Sequence, residues 1–453
     1  MRRGRQYGER SRPGVGLDHR EPTERSGAAA TVRRGRVVLD GDPCARVGCA
    51  VPPDGHPRIL DPTCACAPAV WALGLVSLLM DMSSELVHSL LPLFLVTVLG
   101  ASATTLGLIE GIAESTAMIV KVFSGTLSDA FRRRKPLVVA GYGLAALAKP
   151  LFAIASTVDL VFLARFLDRI GKGIRGAPRD ALIHDVTPPE VRGAAFGLRQ
   201  SLDTVGAVAG PLLAIALLAA FAGDIRSVLW FAVLPALAAV VLLVLGVREP
   251  VVERAAPRAR ARALFTGIAR LPPAFWAVTT IGAVLTLARF SEAFLLLRAQ
   301  DVGMVLTVVP VVMVAMSLVY SLAAYPVGIL SDRVGRAGLL GLGLAVLIGA
   351  DVVLATAAGP WTVLLGAGLW GLHMGLTQGI LSAMVADTAL REVSGSAFGI
   401  FNLASGIALL LASVIAGVLW DTLGPAATFF AGAGFSLAAL IGLFGMRALF
   451  PRR

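Results

Sequence analysis

The sequence predicts an all-α membrane protein with twelve transmembrane helices, arranged as two six-helix halves related by pseudo-symmetry. Three observations support this prediction: an apolar composition, a series of hydrophobic stretches of bilayer length, and an internal repeat. Of the 453 residues, 56% are hydrophobic and 15% are charged, and the mean hydropathy is +0.79. A soluble domain carries about 25% charged residues. The composition therefore excludes a soluble enzyme, a disulfide-rich secreted module and a chain disordered throughout.

The hydrophobic stretches between residues 67 and 450 have the length that a membrane-crossing helix needs. A helix requires about 20 mostly apolar residues to cross a hydrocarbon core of about 30 Å. The stretches in the first half (67–247) are 68–98, 104–128, 136–156, 159–179, 194–221 and 227–247. Those in the second half (274–450) are 274–297, 304–330, 337–357, 361–385, 396–420 and 425–447. The Arg-rich segment 248–273 is expected to be a cytoplasmic linker between the halves.

Residues 1–66 differ from the rest and are expected to form a disordered, basic cytoplasmic tail. All four cysteines lie in this tail, at positions 44, 49, 64 and 66. Their spacing matches no established zinc pattern, so we favour a tail without bound metal over a metal or redox patch that includes His56. The first 30 residues lack the apolar core of a signal peptide, and the first helix is therefore expected to insert uncleaved.

The distribution of Lys and Arg predicts the orientation in the membrane. Cytoplasmic loops carry an excess of these residues. The basic residues lie in the tail, in 132–135, 172–192, the linker, 333–336, Arg391 and the C-terminal end, whereas the opposite loops hold only Arg226 and Arg298. We therefore expect a multi-pass protein of the cell (inner) membrane with both termini in the cytoplasm. The formal net charge of +11 is spread over these loops, so no nucleic-acid partner is expected.

Two blocks recur at a nearly constant offset and indicate a duplicated six-helix unit. The sequence G-T-L-S-D at 125–129 recurs as G-I-L-S-D at 328–332, an offset of 203. Asp185 with E-V-R-G-A-A-F-G at 190–197 recurs as Asp387 with E-V-S-G-S-A-F-G at 392–399, an offset of 202. A substrate path between two such halves is the natural geometric consequence.

The first repeated block resembles the loop motif of the major facilitator superfamily, G-x-x-x-D-R-x-G-R-R/K. The copy that begins at Gly328 matches this motif more closely, because the first copy has Ala130 and Arg132 in place of the motif's Arg and Gly. R-F-L-D-R-I-G-K-G at 165–173 is similar to the superfamily's R-F-x-Q-G-x-G segment. The resemblance covers residues 68–450 and implies a secondary transporter that works by alternating access. It also implies a conformational latch, formed by Gly125, Asp129, Arg132, Arg133, Gly328, Asp332, Arg333 and Arg336.

Ionisable residues within the predicted helices are candidates for the substrate and proton pathway, because unpaired charge is costly in a membrane. In the first helix, Asp81, Glu85 and His88 share one face at spacings of four and three. The spacing of Arg165 and Asp168 predicts an ion pair on the fourth helix, and that of Arg199 and Asp203 another on the fifth. The remaining candidates are Glu110, Glu114, Arg289, Glu292, His373, Gln378 and Asn402. For each of them a purely structural role is the alternative.

Together these observations predict a monomeric, proton-coupled transporter of a small solute. Gly210-Pro211 resembles a signature of antiporters, which slightly favours efflux. We expect neither enzyme activity nor a cofactor nor a metal site, and no ATP-binding P-loop motif is present. Two alternatives stay open. The methionines at 80, 82, 304, 313, 316 and 374 allow a carrier of a metal or metal chelate, and the chain could also be a non-transporting membrane sensor or scaffold.

Overall fold

The computed structural model describes residues 67–130, 134–187, 191–249, 271–388 and 394–445, and in these ranges the regular structure is helical. The tail with its cysteines, most of the linker, and Arg132 and Arg133 of the loop motif lie outside the described residues. The predicted all-α membrane class is confirmed.

In the described residues, the first half contains seven α-helices and one π-helical turn. They are α1 (Ala67–Leu93, continued by a π-helical turn, Phe94–Val98), α2 (Ala103–Ala130), α3 (Lys135–Ile154), α4 (Val158–Val186), α5 (Arg192–Ala220), α6 (Ile225–Phe231) and α7 (Val233–Gly246). The second half comprises α8 (Pro273–Ala288), α9 (Ala293–Asp301), a 3-10 turn (Leu306–Val308), α10 (Val311–Val334), α11 (Arg336–Ala355), α12 (Pro360–Thr388), α13 (Ser394–Leu423) and α14 (Pro425–Gly445).

Within the described ranges, nine helical stretches are long and apolar enough to cross a membrane. In this count α6 and α7 together form one stretch, as do α8 and α9. The long helices that fall short of the criterion are α2, α4 and α12. Both α2 and α4 carry several of the ionisable residues that the sequence placed inside the membrane, so these two helices are best placed to build a polar site.

The break between α6 and α7 has a local cause. The sequence predicted one helix over 227–247, but α6 ends at Phe231, four residues before Pro235. The proline ring clashes with the carbonyl of residue i−4 and proline has no N–H to donate, which interrupts a helix at this point. The carbonyl of Ala232 accepts a hydrogen bond of 2.6 Å from Ser83 Oγ on α1, which satisfies one backbone group at the break.

The prediction of one continuous helix over 274–297 is also wrong, because residues 289–292 separate α8 from α9. No proline or glycine explains this break. Instead, the Ser291 N–H donates to Ser413 Oγ on α13 at 3.2 Å, and Ser291 Oγ accepts from the Ala293 N–H at 3.3 Å. The hydroxyl oxygens of these two serines thus satisfy backbone N–H groups that the break leaves without a helical partner. Arg289 and Glu292 lie at this interruption rather than on a regular helical face.

In the described structure, the apolar core that the two halves share lies at one end of the bundle. We call the end opposite the Lys/Arg-rich loops the outer end (residues 98–103, 154–158, 220–225, 301–311, 355–360 and 423–425). One apolar core at the outer end contains residues of both halves, among them Leu91, Leu106, Phe294 and Val312. At the other end, one core belongs to the first half alone and another to the second half alone. The halves are therefore closed against each other at the outer end and have separate cores at the end with the basic loops.

Glycines allow the closest approach of the halves, which is between α2 and α13. A Cβ on Gly107 would lie 2.1 Å from the carbonyl oxygen of Ser413, and one on Gly417 would lie 2.5 Å from that of Ala103. Real Cβ atoms do not approach other atoms this closely, so only glycine fits at these two contacts. Small residues serve this purpose widely in membrane helix pairs.

Candidate functional site

Nine polar side chains from four helices of the first half form a continuous cluster, the central charge network. Its members come from α1, α2, α3 and α4 and are Ser84, Glu85, His88, Glu110, Glu114, Lys149, Arg165, Asp168 and Arg169. Charges inside a membrane protein are stable only when they are paired or hydrated. Each acid and base in this cluster has an oppositely charged neighbour.

The network is centred on two arginines of α4 and two glutamates of α2. Arg165 Nη2 donates to Glu110 Oε2 at 2.7 Å, and the same nitrogen lies 3.6 Å from Glu114 Oε1. Arg169 Nη1 lies 2.8 Å from that same Glu114 oxygen. Glu110 and Arg165 are buried, whereas the Glu114 side chain is 26% exposed. Glu114 is thus the member of this group that solvent can reach.

Asp168 does not pair with Arg165, so the partner that its spacing predicted is wrong. Lys149 on α3 donates to Asp168 Oδ1 at 2.8 Å and to Ser84 Oγ on α1 at 3.0 Å. The second Asp168 oxygen lies 3.6 Å from Arg169 Nε. The spacing i, i+3 permits contact along one helix, but here charged groups on neighbouring helices compete for the same side chains.

Glycines of α4 bring these helices together. A Cβ on Gly171 would lie 2.6 Å from the Gly141 carbonyl oxygen on α3, and one on Gly173 would lie 2.6 Å from Val120 Cβ on α2. The two glycines belong to the segment that resembles the superfamily motif. Their role in this chain is to let α2 and α3 approach the charged face of α4.

A second charge network lies closer to the end of α4 at Val186. Its members are Ser77, Asp81, Tyr142, Arg175, Arg179, Asp180, Arg199 and Asp203. The predicted pair of Arg199 with Asp203 is confirmed, at 2.8 Å. Arg175 lies 3.9 Å from Asp81, and its guanidinium carbon is 4.8 Å from the centre of the Tyr142 ring.

The face of α1 that carries Asp81 and Glu85 packs on glycines of α5. A Cβ on Gly206 would lie 2.6 Å from the Leu78 carbonyl oxygen, and one on Gly210 would lie 2.6 Å from that of Met82. Small residues at these two positions therefore let the two helices pack closely. It holds the acidic side chains of α1 in place between α4 and α5.

The partly exposed acids Glu85 and Glu114 lie on the side of the first half that faces Glu292 of the second half. The Asp81 side chain is 27% exposed and that of Glu85 is 21% exposed. The exposed Lys172 acts electrostatically on both of them. Glu292 at the break between α8 and α9 lies within electrostatic range of Glu85 and His88. Acids from both halves therefore converge on the space between them.

The second half contributes fewer charges than the first, and its candidates do not form one cluster. Arg289 and Glu292 interact electrostatically with each other and with Tyr320 of α10. His373 is buried, and its Nδ1–H donates to the Gly343 carbonyl at 2.8 Å, which joins α12 to α11. This bond favours the structural alternative for His373. Gln378 and Asn402 are half-buried, on α12 and α13.

The two repeats form equivalent ion pairs beside the loop motif. Arg134 Nε lies 3.4 Å from Asp185 Oδ2 in the first half, and Arg336 Nη1 binds Asp387 in the second half. Both the arginines and the aspartates are related by the offset of 202. Each pair joins helices of its own half. The side chains of Asp129, Asp332 and Arg333 lie outside the described residues, and the latch function of the motif stays a prediction.

Several residues of these networks escaped the sequence-based prediction. Lys149, Arg169, Arg175 and Arg179 were not among the candidate site residues, nor was Asp351 on α11. Lys149 and Asp351 could have been identified from the sequence, since each is the lone charge in the interior of an apolar stretch. A charge in such a place is costly and is therefore a candidate for a functional role.

The methionines that suggested a soft-metal carrier lie mainly in apolar cores. Met80 belongs to the apolar core of the first half, whereas Met304, Met313 and Met316 belong to the core at the outer end. Among the described residues, no group of three His, Cys, Asp or Glu side chains is placed to hold a metal ion.

Comparison with known proteins agrees with this architecture. The family model described as Major Facilitator Superfamily matches residues 73–297 and 293–453. An uncharacterised MFS-type transporter of Methanocaldococcus jannaschii is 32% identical over 380 residues, covering 83% of this chain and 93% of the relative. The multidrug resistance protein MdtH of Photorhabdus laumondii is 31% identical over 137 residues, or 30% of this chain and 34% of the relative. A crystal structure of a variant of the nucleoside transporter NupG aligns with a TM-score of 0.70 at 14% identity, covering 83% and 99% of the two chains.

The NupG likeness shows the fold alone, while the family model spans both halves of the sequence. On these grounds the chain belongs to the major facilitator superfamily.

Proposed function

We propose that this transporter exports a small organic solute in exchange for protons, by alternating access. The observation that carries the proposal is the position of Glu114, a partly exposed carboxylate at the edge of the buried central charge network. It adjoins the space between two halves that share a core only at the outer end. In this proposal the protein acts as a monomer in the inner membrane, with both termini in the cytoplasm.

Alternating access requires the closed end to open and the open end to close around a central site. The shared core at the outer end and the separate cores at the other end correspond to one of the two states. In the orientation that the positive-inside rule predicts, this state faces the cytoplasm. A solute could then enter between the halves and meet Glu85, Glu114 and Glu292.

Protonation of Glu114 would change the network as follows. The ionised carboxylate neutralises Arg169 at 2.8 Å. A proton on Glu114 removes that charge and leaves the buried Arg169 with Asp168 at 3.6 Å as its remaining anionic contact within 4 Å. An undercompensated buried charge is costly. Proton uptake would therefore favour a different arrangement of α2 and α4, which couples the proton to the movement of the halves.

Export as the direction rests on two similarities. The relative MdtH is described as a multidrug resistance protein. Gly210-Pro211 on α5 resembles an antiporter signature, although its glycine also has the packing role described above.

The proposal is tested with the full-length protein in liposomes that contain a pH-sensitive dye. Pools of small solutes are added, and proton flux is recorded together with tracer exchange of the active solute. We expect Glu114→Gln to abolish solute-driven proton flux but to retain solute-for-solute exchange, because an amide cannot carry the proton yet keeps the shape and one acceptor oxygen.

Asp159→Asn is the matched control. Asp159 is an exposed acid in the first turn of the same helix that carries Arg165 and Arg169, and the variant should behave like the wild type. Proton flux that persists in Glu114→Gln would exclude this carboxylate as the coupling group. Tracer uptake by the wild type without any proton flux would identify a facilitator.

A further inference from the structure

Asp351 on α11 is a buried acid that the proposed mechanism does not use. Its exposure is 0%, and neither carboxyl oxygen has a hydrogen-bond partner among the described residues. Aspartate is almost never fully buried unless it is paired. The carboxyl therefore differs from every acid of the two charge networks, each of which lies within 4 Å of a Lys, Arg or His side chain.

The surroundings of this carboxyl are aromatic and apolar. A side chain on Gly432 of α14 would begin 2.7 Å from Asp351 Oδ2 and 3.1 Å from Cε1 of Phe290, so these two groups flank the same point. The Phe290 ring lies 5.3 Å from that of Trp370 and 5.5 Å from that of Phe429, measured between centroids.

Helix register places the Trp370 indole at the depth of Asp351. Leu354 of α11 lies opposite Gly366 of α12, and Gly343 lies opposite Thr377. These two contacts fix an antiparallel register in which Trp370 is level with Asp351. The Trp370 Nε1–H and the Ser436 hydroxyl, one turn from Gly432 on α14, are also buried without hydrogen-bond partners in the described structure.

The described charged and titratable groups nearest to Asp351 have other partners. On α9, Arg298 donates to the carbonyls of Leu354, Ala355 and Ala357 and binds Asp301. On α12, His373 bonds to the Gly343 carbonyl. On α10, Tyr320 interacts electrostatically with Arg289 and Glu292. α14 carries no charged side chain.

An isolated ionised carboxylate is not stable in such a place, and a buried acid becomes neutral instead. We propose that Asp351 is a second proton-binding site, located in the second half, whose carboxyl is protonated while the outer end is closed. The proton is held as the O–H of a neutral carboxylic acid among Phe290, Trp370 and Gly432. No other bond is formed or broken.

The site is connected to the space between the halves through Phe290. This residue belongs to the break at 289–292, which also carries Arg289 and Glu292, and its ring touches the aromatic cluster beside Asp351. A charge on Asp351 would require water to enter this cluster, and the break would have to move. A role of Asp351 in moving the break during transport rests on the proposed function, whereas the protonation of Asp351 does not.

Infrared spectroscopy of the full-length protein in lipid tests the proposal without any transport measurement. At neutral pH, the C=O stretching band of a protonated carboxylic acid should be present in the wild type. The contribution of one carboxyl should disappear from the difference spectrum of Asp351→Asn. Asp159→Asn, which removes an exposed acid, should leave the band unchanged. A spectrum of Asp351→Asn that equals the wild type in this region would overturn the proposal.

A second measurement covers the possibility that the variant fails to fold. The wild type is treated with dicyclohexylcarbodiimide, an apolar reagent that modifies protonated carboxyls, and its peptides are analysed by mass spectrometry. We expect modification at Asp351 and none at Asp159. If Asp351 is modified only after the protein is unfolded in detergent at acidic pH, the carboxyl is not an accessible neutral acid in the folded protein, and the proposal fails.

Discussion

Replacing Arg165 by methionine is expected to lower the free energy of unfolding by about 3–5 kcal/mol, because the change leaves a buried carboxylate without its main partner. Glu110 has 0% exposure and accepts a hydrogen bond of 2.7 Å from the Arg165 guanidinium. His88 Nε2, at 3.9 Å, is the other cationic group near that oxygen. It is too distant for a hydrogen bond and carries charge only when protonated.

Denaturant or thermal unfolding of the purified protein in detergent measures this effect. The double variant with Arg165→Met and Glu110→Gln should recover most of the lost stability, since it removes both charges of the pair. Lys172→Met removes an exposed cation from the same helix and should change stability by no more than about 0.5 kcal/mol. A double variant that is less stable than Arg165→Met would contradict the assigned pairing.

Replacing Asp421 by alanine is expected to shift the transporter away from the state that is closed at the outer end. Asp421 lies near the end of α13 in the second half, and its carboxylate accepts from the backbone N–H groups of Ala103 and Thr104 at 3.1 and 2.7 Å. It also accepts from the Thr104 hydroxyl at 2.6 Å. These N–H groups belong to the first turn of α2 in the first half and have no hydrogen-bond partner within the helix.

The acid thus caps a helix of the opposite half, and this contact exists only while the outer ends are together. Loss of a capping side chain costs about 0.5–2 kcal/mol, which corresponds to a change of about 2- to 30-fold in the population ratio of the two states. The fold of either half should be unaffected, because neither half depends on the contact for its own core.

Distances between spin labels measure this shift. Val98→Cys and Leu423→Cys place labels on exposed positions at the outer ends of the two halves, in a background in which the four natural cysteines are serine. Asp421→Ala should add a population with a longer distance. Asp421→Asn keeps an oxygen acceptor, and asparagine is itself a good cap, so its shift should be smaller. Identical distance distributions in wild type and Asp421→Ala would show that the cap does not hold the outer end closed.

Local patterns in the sequence were sufficient to predict the class of protein and the approximate positions of its helices. The length and apolar composition of these helices follow from the thickness of the membrane. The repeat identified Asp185 and Asp387 as equivalent positions, and in the structure each of them pairs with an arginine of its own half, Arg134 and Arg336 respectively. The break before α7 could also have been predicted, because Pro235 interrupts a helix by its own geometry.

Several acids of the central charge network were among the candidates named from the sequence, but the pairing within that network was not predicted. The candidate acids Glu85, Glu110 and Glu114 do lie in one network. Arg165, however, pairs across to α2, and Asp168 pairs with Lys149 on α3. Which side chains meet depends on the rotation and separation of neighbouring helices, and periodicity along one helix contains no information about either.

The sequence by itself therefore determined the membrane class, the duplicated halves and part of the set of residues that carry charge inside the bundle, since each of these depends on local composition and spacing. Only the tertiary structure decided the break at 289–292, the cap that Asp421 places on α2, and the isolation of Asp351. All three depend on groups that lie far apart in the chain. The physical reason is that a polar group in an apolar interior takes whatever partner the packed helices bring within reach, or remains without one.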